Sequence, residues 1–242
     1  MNSEQQFFLD SLENTLFTIQ DINNDGSCLF RSLANYFYYA MPSEKLAELK
    51  RLENWGNYKK LEDIDKRTNN VDQVRDKLSR YIYDTIVDYI ETNPDSVLDD
   101  TGVSIRDYIP MVHGMDYDTY LDVYRDFPAD RQLYSDNGDG YDRWGSQLEV
   151  LVLSKIVGCS IVVMNSQKWN KEKNKLGIGK IVNSKAQKDV RFKIYQIVNP
   201  TEINNKLPIF LIWKKASRGG AHYMVAYPNN INEVMAKIQN YI

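Results

Sequence analysis

The sequence predicts an α+β domain, and three observations carry that expectation. Apolar residues recur every three to four positions through the first two thirds of the chain, the period drops to two after Gly158, and no linker or internal repeat interrupts the change. Helical runs followed by runs of strand, without strict alternation, favour α+β over a doubly wound parallel sheet. With 242 residues, 43% of them hydrophobic, the chain can build one sizeable core. A single domain over 1–242 is expected, its core spanning about 18–229, with a central, mostly antiparallel sheet flanked by helices.

The elements follow in order. Phe8, Leu12 and Leu16 stand four apart and predict a short helix over 4–16. Residues 21–27 are dense in Asp, Asn and Gly and predict a turn. Leu29, Leu33 and Phe37 predict a helix that Pro42 stops, while 43–70 is charged and aperiodic, as an insertion would be. Val74, Leu78, Ile82, Ile86 and Ile90 form one stripe of a long helix over 71–93, ended by Asn93-Pro94. Residues 95–142 hold twelve Asp against three Arg and predict an irregular acidic stretch. Leu148, Leu151, Val152 and Ile156 predict a helix over 144–156, with Gly158 just past its end.

Beyond that point the pattern is that of strands. Ile161-Val162-Val163 marks a buried strand over 159–164, and Val190, Phe192 and Ile194 alternate with Arg191 and Lys193 as a half-buried one should. Between them lies a basic insertion, 165–193, with nine Lys or Arg against two acids and short polar pieces. The apolar runs 209–213 and 223–227 flank Gly219-Gly220 and predict a hairpin. Val234, Met235, Ile238 and Ile242 predict a closing helix.

Composition excludes several classes of function. A net charge of −3 is wrong for a protein that coats nucleic acid. No run of some eighteen apolar residues exists, so no spanning helix and no membrane partner are expected. The opening residues lack the basic region of a signal peptide, and two cysteines, Cys28 and Cys159, make a disulfide framework unlikely to be the plan of the fold. A reducing compartment, the cytoplasm, is expected: the host's, if the source is a virus or an intracellular bacterium.

The segment Asp25-Gly26-Ser27-Cys28-Leu29-Phe30-Arg31-Ser32 carries the most chemistry. It places a thiol in the first turn of a helix, where unpaired amides and the helix dipole favour a thiolate, the attacking species. The same amides can stabilise the oxyanion of an acyl transfer. Cys28 is therefore a candidate nucleophile, whereas Cys159, inside an apolar strand, reads as packing. Asp21, Asn23, Asp25 and Gly26 also match the first half of an EF-hand calcium loop, but the ninth and twelfth positions are Leu29 and Ser32 where the motif needs a ligand and a bidentate Glu. A nucleophilic cysteine requires a base, and the chain has two histidines. His113 lies in the acidic stretch, where a surface or capping role is expected. His222 opens the last apolar strand beside Gly219-Gly220, a position from which a base can face a cleft.

Four motifs in order resemble the ovarian tumour (OTU) family of deubiquitinases. Asp25 to Ser32 is similar to its D-G-x-C-L-F-R-[AS] signature. Val74-Arg75, with Asp88-Tyr89-Ile90 and Asn93-Pro94-Asp95, resembles its second helix. Trp144-Gly145-Ser146-Gln147-Leu148-Glu149 resembles W-G-x-x-x-E, and His222-Tyr223 matches the H-Y that begins the family's terminal strand. The resemblance implies a papain-like cysteine protease fold and a thiol hydrolase, with Cys28 attacking the C-terminal glycine carbonyl of ubiquitin or a ubiquitin-like modifier and His222 as general base. It implies a place in the active site for Asp25, a wall of the substrate channel (or a core anchor) for Trp144, no cofactor, no metal, and a monomer whose partners are ubiquitin or polyubiquitin chains. One departure stands out. Relatives orient the imidazole with an Asn or Asp two residues after the histidine, or two before it, and here those residues are Met224 and Gly220. The orienting group is then Asp25, a later amide such as Asn229, a backbone carbonyl, or absent. If it is absent, the chain is a weak enzyme or an inactive ubiquitin-binding module.

Overall fold

The computed structural model describes residues 16–20, 22, 26–39, 71–98, 102–125, 145–166, 177–182, 188–199, 208–215 and 221–239. The expected helix over 4–16 (all but Leu16, which stands just before the first strand), the insertion 43–70, the loop with Gly219-Gly220, Asp25 and Trp144 lie outside the described residues.

Within those bounds the chain is α+β. The helices are α1 (Cys28–Tyr39), α2 (Val71–Thr92), α3 (Ile105–His113), α4 (Tyr117–Val123), α5 (Gln147–Val157) and α6 (Ile231–Gln239). The strands are β1 (Phe17–Gln20), β2 (Ile161–Ser166), β3 (Gly177–Val182), β4 (Lys188–Val198), β5 (Ile209–Lys215) and β6 (Ala221–Pro228). The strands pair in a closed ring, β1-β3-β4-β2-β5-β6. Two of the pairings are parallel, β1 with β3 and β2 with β5, and the other four are antiparallel, the expected β5–β6 hairpin among them. The sheet is thus mostly antiparallel, as expected, and it closes on itself. The reason lies in β1 and β3, which the hydrophobic pattern did not mark and which join the two ends of the sheet.

Alternation along the strands sorts the apolar side chains into two clusters. Ile161, Val163, Ile209, Leu211, Tyr223 and Val225 share one cluster with the buried sides of α1, α2 and α5. Phe17, Ile19, Val162, Met164, Phe210, Ile212, Met224 and Ala226 form the other, into which α6 sends Val234 and Ile238.

Helix α1 lies deepest. Leu29, Phe30, Leu33 and Ala34 are fully buried, Phe30 meets Tyr83 of α2 edge to face, and Tyr36 donates to the Pro208 carbonyl and stacks on Tyr227 of β6. Such a helix cannot slide without opening the core on two sides, so its first residue is fixed in space. Polar contacts lock the same end. Arg31 donates to Ser27 Oγ at 2.8 Å and pairs with Asp76 of α2 at 3.0 Å, while Arg75 donates to Asn35.

The acidic stretch is more ordered than its composition suggests. Ser104 caps α3 by accepting from the Asp107 amide, Asp116 caps α4 by accepting from the Thr119 amide, and Gly114 ends α3 in the left-handed conformation. These are ordinary cap signals, and Ile105, Tyr108 and Ile109 form the buried stripe of α3. No helix among the described residues is long and apolar enough to cross a membrane.

Candidate active site

The turn before α1 puts Gly26 at φ 81°, a left-handed conformation that suits glycine, and Ser27 and Cys28 then enter the core. Cys28 is 1% exposed, at the first position of the helix. Its sulfur accepts the backbone N–H of Tyr223 at 3.4 Å, across 195 residues of sequence. Tyr223 directly follows His222, so Cys28 meets the start of β6 one residue from the second residue singled out from the sequence. His222 is half-buried there, opposite Lys214 of β5 in the strand register. The sulfur is thus placed as a hydrogen-bond acceptor at a helix start.

The Tyr223 ring is buried, and its hydroxyl is held well above its ordinary range, by burial first and then by the nearby charges of Glu149, Cys28 and Tyr195. It stays protonated. On the other side, the backbone at Gly145 comes so close to α1 that a Cβ there would lie 2.6 Å from Leu29 Cδ2. Only glycine permits that approach, and it presses the start of α5 against the residue next to Cys28.

The other sequence candidates fall as follows. Asp25 and Trp144 lie outside the described residues. Asn229 does not reach His222. It stands just past the far end of β6, seven residues on and so roughly 23 Å along an extended strand. Its side-chain oxygen there accepts from Thr18 and its amide donates to the Leu16 carbonyl. Met224, two residues after His222, is 3% exposed in the second apolar cluster. Cys159 is buried at the α5–β2 turn, where its carbonyl accepts from Ser154. The calcium reading fails on geometry, because Leu29 and Ser32, its ninth and twelfth positions, are fully buried in α1.

The larger surprise is His113, expected at the surface. Its side chain is 3% exposed and sits between α3, α4 and α5. Nε2 lies 3.0 Å from Ser146 Oγ and 3.4 Å from Glu149 Oε1, and Nδ1 lies 3.2 Å from the Tyr124 hydroxyl. Glu149 also accepts from Tyr120 at 2.7 Å, and from the amide and hydroxyl of Ser146, its own helix cap, at 2.5 and 2.7 Å. Burial alone would raise the Glu149 pKa, but His113, Tyr120 and Ser146 outweigh it and hold the carboxyl down to about 2. Tyr120 moves the opposite way, through burial and the facing carboxylate.

Ser146, His113 and Glu149 have the composition of a serine-hydrolase triad without its geometry. In a triad the acid orients the ring nitrogen opposite the nucleophile. Here serine and carboxylate share Nε2, and the serine hydroxyl donates to the carboxylate. The group is a buried, saturated network that ties α3, α4 and α5 together. The sequence signal that points to it is the capping box from Ser146 to Glu149; nothing in the local pattern points to His113.

No protein-family model matches the chain, and no curated protein is similar enough to it to serve as a relative. Fold and site together define a class: an α+β protein in which a cysteine at the first turn of a buried helix accepts the amide that follows a histidine at the start of a strand.

Proposed function

We propose that the chain is a thiol-dependent deubiquitinase of OTU type, with a papain-like plan, and that it hydrolyses isopeptide or peptide bonds at the C-terminal glycine of ubiquitin or a ubiquitin-like modifier. The observation that supports this reading is the Tyr223 N–H to Cys28 Sγ contact, one residue along the strand from His222. The four ordered motifs supply the substrate class.

In this reading His222 takes the Cys28 proton as sulfur attacks the glycine carbonyl. Backbone amides at the start of α1 stabilise the oxyanion, and the proton passes to the departing lysine amine. Water, deprotonated by His222, then attacks the thioester, releases the carboxylate and restores the thiol. Asp25, beside the nucleophile in sequence, is assigned to the loop that carries the oxyanion donors. Exposed aspartates on α3 and α4, Asp107, Asp118 and Asp122 among them, offer a counter-charge to the arginines of a ubiquitin tail. The protein acts as a cytoplasmic monomer without a cofactor.

A ubiquitin probe with a C-terminal electrophile tests the proposal: wild type forms a covalent adduct and Cys28→Ala does not. An adduct that persists in that variant, or that maps to Cys159, overturns it. One observation favours a second reading, a ubiquitin-binding module without turnover. Met224 is buried among apolar side chains and offers the imidazole no acceptor. Wild type that binds ubiquitin yet cleaves no di-ubiquitin of any linkage would establish that reading.

A further inference from the structure

Arg31 stands in the first turn of α1, where a cation opposes the helix dipole, and that turn holds no acidic residue of its own. For helix stability alone the position favours an acid. What the guanidinium does there is bridge two elements. Its Nε donates to Ser27 Oγ at 2.8 Å, and its Nη1 pairs with Asp76 Oδ1 of α2 at 3.0 Å. The other oxygen of Asp76 accepts from Arg80 Nε, also at 3.0 Å. A chain of alternating charge therefore runs along α2 and across to the residue that precedes Cys28: Arg80, Asp76, Arg31, Ser27. The side chains of Arg31, Asp76 and Arg80 are 24%, 35% and 36% exposed, and ion pairs so accessible to water contribute little stability. What they can do is fix a position.

The position fixed is that of the turn that carries Cys28. Ser27 is fully buried, and its carbonyl accepts the Arg31 N–H at 2.9 Å, so Arg31 holds Ser27 through main chain and side chain together. Gly26, just before it, is left-handed, a conformation that glycine leaves as readily as it enters. The peptide groups on either side of Ser27 thus join a permissive residue to a rigid helix, and turning them pulls Ser27 off the guanidinium. Donors to an oxyanion act only if they are aimed before the reaction. A lysine cannot stand in for Arg31, because an ammonium lacks the planar fork that reaches a hydroxyl and a carboxylate at once.

We infer that Arg31, held by Asp76, is a positioning residue that sets the Ser27–Cys28 turn for oxyanion binding. This rests on the deubiquitinase reading above and adds what aims the amides. Arg31 and Asp76 touch neither substrate nor sulfur in this role; they act through Ser27.

Two measurements on the full chain separate aiming from support. Hydrolysis of ubiquitin carrying a C-terminal fluorogenic amide passes through an oxyanion, whereas alkylation of Cys28 by iodoacetamide does not. Arg31→Lys is expected to lower kcat about 10²-fold, the scale of a small misplacement, with KM and the alkylation rate unchanged. Asp76→Asn, at a half-buried position, is expected to lower kcat less, and it keeps the test open should the Arg31 variant unfold. Ser27→Ala is expected to match Arg31→Lys, and the double variant to lose no more than either, because both remove one contact. Equal kcat for wild type, Arg31→Lys and Asp76→Asn overturns the inference and leaves the deubiquitinase reading intact. Additive losses in the double variant overturn it as well. So does a parallel fall in alkylation, because Arg31 would then be supporting the thiol. Wild type that iodoacetamide alkylates at Cys28 but that never hydrolyses the ubiquitin amide removes the parent reading, and the positioning role with it.

Discussion

The chain's two histidines occupy opposite kinds of environment. His113 is almost wholly buried, with Ser146, Glu149 and Tyr124 fixed around its two ring nitrogens. His222 is half-buried at the start of a strand, one residue from an amide that points at a sulfur. The first is enclosed by polar partners; the second is partly exposed and adjoins in sequence the residue whose amide meets the Cys28 sulfur. Residue type alone does not separate a structural histidine from a candidate base. What separates them is whether the ring's surroundings are complete or leave room for a substrate.

The contrast can be broken or sharpened by mutation. The largest expected effect is at the thiol: Cys28→Ala abolishes probe labelling and di-ubiquitin cleavage, while Cys159→Ala leaves both in place. His222→Ala follows, lowering the cleavage rate by about 10²- to 10⁴-fold, the usual contribution of a general base, with the urea midpoint little changed. His113→Ala does the reverse. It strips the buried carboxylate of a partner and costs about 3 to 5 kcal/mol of stability, read by urea unfolding. If the His113 variant proved as stable as wild type, the structural role given to that network would be wrong.

Glu149 adds a pH signature to the same side of the comparison. Its carboxyl titrates at about 2 in the folded chain against an ordinary 4.5. The folded value is the lower one, so the contribution is complete above about pH 4.5 and is lost progressively as pH falls toward 2. The full span corresponds to about 3 kcal/mol. Unfolding midpoints measured at pH 6 and pH 3 should separate accordingly, and Glu149→Gln should flatten that difference. The smallest effect expected is at Gly145→Ala. The added methyl must displace Leu29, costing about 1 to 3 kcal/mol, and probe labelling should drop with it because Leu29 adjoins Cys28.

Much of this fold is legible in the sequence wherever one face of an element meets the core. The stripes of α1, α2 and α5, the Gly158 stop and the β5–β6 hairpin all follow from period and caps. The elements that escaped are those with little periodic signal of their own. β1 is four residues long, β3 contains two glycines, and both exist through pairing with distant strands, which no local pattern encodes. α3 and α4 escaped because dense aspartates masked their apolar positions, although Ser104, Gly114 and Asp116 mark their ends. Around the candidate site, the helix start at Cys28 and the strand start at His222 were visible because such starts leave a trace in sequence. The β-bulge at Tyr195 of β4 was not, since a register slip of one residue depends on the partner strand.

The bond between the Tyr223 amide and the Cys28 sulfur has a consequence for biosynthesis. It joins residues 195 positions apart, so a ribosome delivers the thiol long before it delivers the strand that completes the site. Throughout that interval the growing polypeptide carries a cysteine without its histidine. On the proposed reading the site cannot assemble on a half-made chain, and one proteolytic cut followed by loss of the last hairpin takes it apart again.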